Sequence, residues 1–241
     1  MAPYPASLLK LMVAVGVALA VDEGRCDWPD ALEPMIVISD NQATDLCVAL
    51  LHRVGWLSPA ADNRLNQLFL SLDLPTLQLT HTTASGGWRN ADGAGVGHIH
   101  MTAWDTVRLL WWLDPLAPPP PWLQGRQVAA LQPATRQRLM AVLARQQLDE
   151  ILSSGSLRGQ PGWLQGLPDA PAFAHKTGTT DNYASDAGRV WQQDAAGRPV
   201  HYLVAVLSSL GRRHAPTPAC ATSWQLPALG AAIHRIMETL A

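Results

Sequence analysis

Only two of the 17 basic side chains in this 241-residue chain are lysines, Lys10 and Lys176; the rest are arginines. Arginine serves wherever a plain positive charge is enough. Lysine alone carries a compact ammonium that burial or neighbouring charge can push towards its neutral, proton-accepting form. Each lysine sits in a short motif with a hydroxyl. Ser7-Leu8-Leu9-Lys10 puts a hydroxyl and an amine one helical turn apart on the same face, so that the amine can take the serine's proton. At the start of a helix the Ser7 N–H is also unpaired and available to an oxyanion. Lys176-Thr177-Gly178 closes an apolar run. There the lysine can hold a carboxylate or tune the hydroxyl of Ser39, the threonine hydroxyl can donate to the same carboxylate, the glycine lets a substrate lie against the backbone, and the Thr179 N–H can be a second oxyanion donor. A third motif, Ser39-Asp40-Asn41, adds a hydroxyl suited to passing a proton to a leaving nitrogen and an amide able to hold a carbonyl. Each motif also has a plain structural use. Ser, Asp and Asn cap helices, and a glycine after a strand makes a turn. His98-Ile99-His100 has the spacing of a zinc pair but lacks the nearby third ligand that zinc needs, so no metal and no cofactor is expected.

The elements that must position these residues follow from periodicity. Residues 1–21 fit two patterns. One is an export signal, with one charge, a short apolar run and small residues after it. The other is a buried helix opening at Ser7. A polar turn at Asp22–Arg25 leads to the apolar stretch Met35–Ile38, which Ser39-Asp40-Asn41 ends. A helix with Ala43, Leu46, Cys47, Leu50 and Leu51 at helical spacing comes next, and then a helix capped by Ser58 and carrying Leu65, Leu68 and Phe69. Residues 80–97 read as a long loop, and Thr102 caps a strongly apolar helix. Pro118–Pro121 is a rigid spacer, and Ala134–Leu152 is amphipathic. Strands are predicted at Ala172–Lys176, Ala187–Gln192 and His201–Leu207, with a hairpin turn at Asp194–Arg198, before a closing helix at Leu226–Leu240. The expected fold is α+β, in one domain over residues 1–241. Its helical part covers about 23–165, and its sheet part about 166–241 together with the helix at 7–21.

Composition excludes several classes. With 19 acidic residues the net charge is −2, and no basic tract is present, which argues against nucleic-acid binding. An apolar content of 48% against 15% charged residues excludes a largely disordered chain. Cys26, Cys47 and Cys220 form neither a disulfide framework nor a zinc-finger spacing, and their pairing stays open. The abundant tryptophans read as core and groove lining.

Taken together and in this order, the three motifs give the chain a resemblance to the serine β-lactamase and penicillin-binding-protein superfamily, on the side of the class A enzymes, whose markers are S-x-x-K, S-D-N and K-T-G. Leu74-Pro75-Thr76, Met101-Thr102-Ala103-Trp104, Leu167-Pro168-Asp169 and Ala205-Val206-Leu207 extend the similarity from Pro5 onward. The resemblance implies a helical subdomain packed on an antiparallel sheet flanked by the terminal helices. It implies Ser7 as the acylated nucleophile, Lys10 as its base and Ser39 as proton donor to the departing nitrogen. Asn41 would bind a substrate amide, Lys176 and Thr177 the substrate carboxylate, with Gly178 beside them, and the N–H groups of Ser7 and Thr179 would form the oxyanion hole. Arg189 is a further candidate for the carboxylate. The substrate would be a β-lactam or a peptidoglycan-like amide. The activity would be that of a β-lactamase, with a D-alanyl-D-alanine peptidase, an esterase or a non-catalytic penicillin-binding protein as alternatives. Relatives act outside the cytoplasmic membrane.

Two departures stand out. The stretch Leu79–Ser85, where class A enzymes carry their deacylating glutamate, has no carboxylate, and no glutamate occurs between Glu33 and Glu150. His81, Asp92, His98 and His100 are the titratable residues nearby. Acylation without rapid hydrolysis is the expected consequence. The strands that precede the nucleophile in the family are also missing from this sequence, so the strand His201–Leu207 should be an apolar edge, with a partner segment as one way to cover it.

Overall fold

The computed structural model describes residues 4–82, 95–217 and 220–241. Ala6–Leu9 form a short 3₁₀ helix that runs into α1 (Lys10–Asp22). Every residue of α1 from Lys10 to Ala20 is buried. The apolar run near the amino end is thus the central core helix, and it is apolar on all sides because it is surrounded on all sides. After it come α2 (Leu32–Val37), α3 (Asn41–Arg53) and α4 (Arg64–Ser71). A hairpin of β1 (Gln78–Thr82) and β2 (Gly95–His100) precedes α5 (Ala103–Leu113) and α6 (Pro133–Leu143). The chain closes with β3 (Phe173–Thr179), β4 (Ala184–Gln193), β5 (Pro199–Ser208) and α7 (Gln225–Leu240).

The antiparallel sheet has the order β3-β4-β5. Its inner face meets α5, α6 and the 3₁₀ turn. Its outer face, through Phe173, Val190, Val200 and Tyr202, is sealed by Leu226, Ile233 and Met237 of α7 and by Ile151, Leu152 and Leu167. Helix α1 packs on α2, α3 and α6. The 3₁₀ turn that precedes it packs on β3 and β4, so this segment links the helical layer to the sheet. No helix among the described residues is long and apolar enough to cross a membrane.

Several local expectations shift. The apolar stretch at Met35, which the sequence leaves without an assigned element, forms the last turn of α2. Helix α4 is capped by Asn63, whose side chain accepts from the Asn66 N–H at 3.0 Å. Ser58 instead closes a turn by accepting from the Ala60 N–H. Leu46, expected on a buried stripe, is 64% exposed. The loop expected over residues 80–97 has strands at both of its ends, while residues 83–94, with Asp92, lie outside the described residues. The amphipathic pattern of Ala134–Leu152 is helical only as far as Leu143. Beyond it, the apolar Ile151 and Leu152 turn to the other side of the sheet. Thr102 does cap α5, and the Asp194–Arg198 turn joins β4 to β5 with Gly197 at φ 79°. The three cysteines are free thiols.

Two glycines let neighbouring layers close, Gly178 at the cleft and Gly230 on the outer face. A Cβ on Gly230 of α7 would stand 2.3 Å from the Leu152 carbonyl oxygen and 3.1 Å from the Leu167 nitrogen. Alanine would favour the helix by about 1 kcal/mol. The clash is with backbone, however, and overpacking of this kind costs about 1–3 kcal/mol. Gly230→Ala should therefore lower the unfolding free energy in urea despite its better helix propensity; a gain in stability would show that α7 is free to shift.

Candidate active site

The cleft between the helical layer and the β3 edge gathers the motif residues. The amine of Lys10, at the first turn of α1, reaches across to the Ser39 loop. It donates to the Ser39 carbonyl oxygen at 2.6 Å, to Ser39 Oγ at 3.0 Å and to Asn41 Oδ1 at 3.0 Å. From the other side, Lys176 Nζ donates to the same Ser39 Oγ at 3.0 Å and to the Thr177 carbonyl at 2.8 Å. Both amines are almost completely removed from water. Two amines thus share one hydroxyl oxygen as their acceptor.

Burial is the main reason both lysines fall below their ordinary value. Lys10 is lowered from 10.5 to about 8, against the pull of Asp40 and Asp45. Lys176 is lowered to about 7 by burial and then by the charge of Lys10, against Asp186 and Glu150. Interacting amines of this kind titrate as a pair. Near neutral pH the pair holds one of its protons loosely, so it contains both a base and a cation.

Ser7 lies in the 3₁₀ turn, where residues three apart are eclipsed, so Ser7 and Lys10 share one face. The turn differs from the helix start expected at Ser7: it begins a residue earlier, and Pro5, not a serine, occupies the cap position. Among the described hydrogen bonds the Lys10 amine goes to Ser39 and Asn41, not to Ser7. Immediately before Ser7, Ala6 has φ 51°, and Ser39 has φ 57°. Two non-glycine residues in the left-handed region at one cleft is a concentration of backbone strain of the kind that active sites hold. Nothing in the sequence signals either.

Glycine at 178 is required sterically. A Cβ there would fall 2.3 Å from the Pro5 carbonyl oxygen, 2.8 Å from the Leu8 nitrogen and 3.0 Å from the Ser7 nitrogen. Its absence lets β3 press against the 3₁₀ turn. Hydrogen-bonded and non-bonded pairs alternate along an antiparallel ladder. Because Thr180 N–H bonds the Tyr183 carbonyl and Trp191 N–H the Ala172 carbonyl, the pairs Thr177/Asp186 and Thr179/Ala184 are non-bonded. The Thr179 N–H therefore points away from β4, out of the sheet edge.

Asp40 accounts for the plain reading of its motif. Its carboxylate caps α3 by accepting from the Ala43 N–H at 2.7 Å, leaving Ser39 and Asn41 to face Lys10. His175, which precedes Lys176, is buried and bonded through Nδ1 to buried Asp186 at 2.7 Å. Asp186 Oδ2 also accepts from Leu152 N–H. Sequence reasoning misses this pair, although its partners lie near one another on adjacent strands. Arg189 does not reach the carboxylate site. It faces α5 and bonds the buried Asp114 at 3.2 Å, and His201 takes the other oxygen of Asp114 at 2.5 Å. His98 is exposed on β2, its ring 6.4 Å from that of His100. Among the described residues no group of three His, Cys, Asp or Glu side chains could hold a metal ion.

The chain belongs to the β-lactamase enzyme family, whose pattern matches residues 25–220. That span includes Ser39 and Lys176, while Ser7 and Lys10 join them through the folded geometry just described. Among solved structures it resembles PBP-A, with a TM-score of 0.61 and 21% identity over 97% of this chain and 81% of that one. It also resembles a single-residue mutant of PBP-A described as an acyl-enzyme complex with penicillin G, with a TM-score of 0.60 and 22% identity over 97% of this chain and 81% of that one. A β-lactamase from Streptosporangium roseum aligns with a TM-score of 0.62 and 16% identity, over 98% of this chain and 85% of that one. A search of curated protein sequences finds no match. The fold is thus that of the β-lactamase and penicillin-binding proteins, and family membership makes the chain a β-lactamase-like hydrolase.

The lowered lysines make stability depend on pH in a defined direction. Between about pH 7 and the ordinary value of 10.5, Lys176 binds more protons in the unfolded chain than in the folded one. Stability therefore rises with pH across that window. Buried Cys47, with a thiol pushed up from 9.0 to about 12, begins to oppose this at about pH 9 and above. Urea midpoints should accordingly rise from about pH 7 to about pH 9, and Lys176→Met should flatten the rise. An equal rise in both proteins would contradict a buried, lowered Lys176.

Proposed function

We propose that the protein is a serine acyl-transfer hydrolase that attacks a β-lactam or peptide-like amide carbonyl with Ser7. The observation that carries this reading is the convergence of Lys10 and Lys176 on Ser39 Oγ beside the Ser7 turn. In this scheme the Ser7 hydroxyl proton passes to the unprotonated amine of Lys10 as Oγ bonds the carbonyl carbon. The N–H groups of Ser7 and Thr179 stabilise the oxyanion. The C–N bond then breaks as Ser39 gives its proton to the leaving nitrogen, and Ser39 recovers a proton from the lysine pair to which it is bonded. Asn41 holds the substrate amide, and Lys176 with Thr177 holds its carboxylate. The Lys10 amine, bonded to Ser39 and Asn41 in the unliganded protein, would have to turn to Ser7 Oγ in the substrate complex, where catalytic hydrogen bonds commonly form.

A second reading, a penicillin-binding protein or D-alanyl-D-alanine peptidase that acylates but hydrolyses its adduct slowly, is favoured by the lack of any carboxylate in Leu79–Ser85. It shares the acylation step and differs only in the fate of the ester. The outer edge of β5 supports a further element of the reading, a partner segment over residues 201–207, because that strand is paired on one side only among the described residues.

Intact-mass analysis with penicillin G tests the proposal. The expected result is a gain of one penicillin, mapped to Ser7 and lost in Ser7→Ala; folded protein that gains no mass would overturn it. Rapid return to the free mass supports a β-lactamase, and persistence of the adduct supports the second reading. The acylation rate should rise with pH through about 8, as the Lys10 amine loses its proton. Lys10→Met should acylate about 10²–10⁴-fold more slowly, the usual contribution of a general base.

A further inference from the structure

Gln146 lies just past the end of α6, is 3% exposed and belongs to none of the three motifs. Its side chain uses both ends. Oε1 accepts from the N–H groups of Gln147 at 3.1 Å and Leu148 at 3.0 Å, closing the turn after α6. Nε2 crosses to two other elements, donating to the Ile36 carbonyl at 2.9 Å and, less closely, to the His175 carbonyl at 3.4 Å. The backbone adds a parallel link, from Gln147 N–H to the Val37 carbonyl at 3.0 Å.

These acceptors are not arbitrary. Ile36 and Val37 are in the last turn of α2, whose carbonyls have no partner within the helix. Ser39, with its left-handed backbone, follows two residues later. His175 immediately precedes Lys176 on β3, and its pair with Gly188 is of the non-bonded kind, so its carbonyl also points out of the sheet edge. One buried amide group therefore ties the segment that carries Ser39 to the strand that carries Lys176. Each is attached within a few residues of the atoms that meet at 3.0 Å. We propose that Gln146 is a positioning residue that sets the Lys176–Ser39 contact by bracing the end of α2 against β3.

Two variants separate this role from a local one. Gln146→Met keeps the length and removes every hydrogen bond. Gln146→Asn keeps a polar group beside Gln147 and Leu148 but is one methylene too short to bridge to Ile36 and His175. The first readout is the titration of lysine side chains by NMR in protein labelled at lysine, which yields one signal each for Lys10 and Lys176 because the chain has no others. In both variants the Lys176 midpoint should move up by a unit or more towards its ordinary value as the contact loosens. Lys10, held also by the Ser39 carbonyl and Asn41, should move less. Unchanged midpoints in folded Gln146→Asn would overturn the proposal and leave Gln146 as a local cap, and that variant decides the matter if Gln146→Met does not fold. The second readout rests on the acylation reading above. Labelling by a fluorescent penicillin should slow about tenfold in both variants, and a rate within about twofold of wild type in Gln146→Asn would count against the bracing role. Failure of the wild type itself to label would overturn the acylation reading instead, and the NMR titration would still decide the role of Gln146.

Discussion

A lysine ammonium withdrawn from water is costly unless it is paired, and two of them a hydrogen bond away from the same oxygen are costlier still. This is the constraint on which the cleft depends. Lys10 and Lys176 both bond Ser39 Oγ, and no carboxylate bonds either of them directly among the described residues. Asp40, Asp45, Asp186 and Glu150 offset part of the repulsion from a distance. What remains is relieved by giving up a proton. The same arrangement that strains the fold thereby supplies a base near neutral pH, the property a serine nucleophile requires.

The rest of the architecture can be understood as holding that contact. Helix α1, apolar between its terminal residues Lys10 and Asp22, anchors Lys10 in the helical layer, and its burial keeps the amine from solvent. Gly178 removes the one side chain that would keep β3 away from the Ser7 turn. The His175–Asp186 pair and the contact from Leu152 N–H fix β3 from its outer face. The left-handed residues Ala6 and Ser39 redirect the chain at the two places where a hydroxyl must face the cleft. Strain at these points is tolerated because the packed layers on both sides overdetermine their positions.

Much of this is legible in the sequence, and for identifiable reasons. The scarcity of lysine makes its two occurrences conspicuous, and the three motifs supply every side chain whose amine meets Ser39. Strands β3 to β5 and helices α5 and α7 carry strong periodicity with caps or turns at their ends. Where reading fails, the deciding contact lies far off in sequence. The Ala134–Leu152 pattern breaks at Leu143 because its later apolar residues serve a different face of the sheet. Asn63 outcompetes Ser58 as a cap because its amide also bonds the Leu79 carbonyl. Arg189 is drawn into an ion pair by an aspartate on another element. Gln146, His175 and the two strained residues act through tertiary contacts that leave no local trace.

The arrangement is most directly tested by a crystal structure of the unliganded protein at near-neutral pH. The account requires the side-chain nitrogens of Lys10 and Lys176 to lie each within about 3 Å of Ser39 Oγ, the span of a normal hydrogen bond, with Ser7 alongside Gly178. Electron density showing either amine turned to solvent, or Ser7 on the far side of β3, would contradict it.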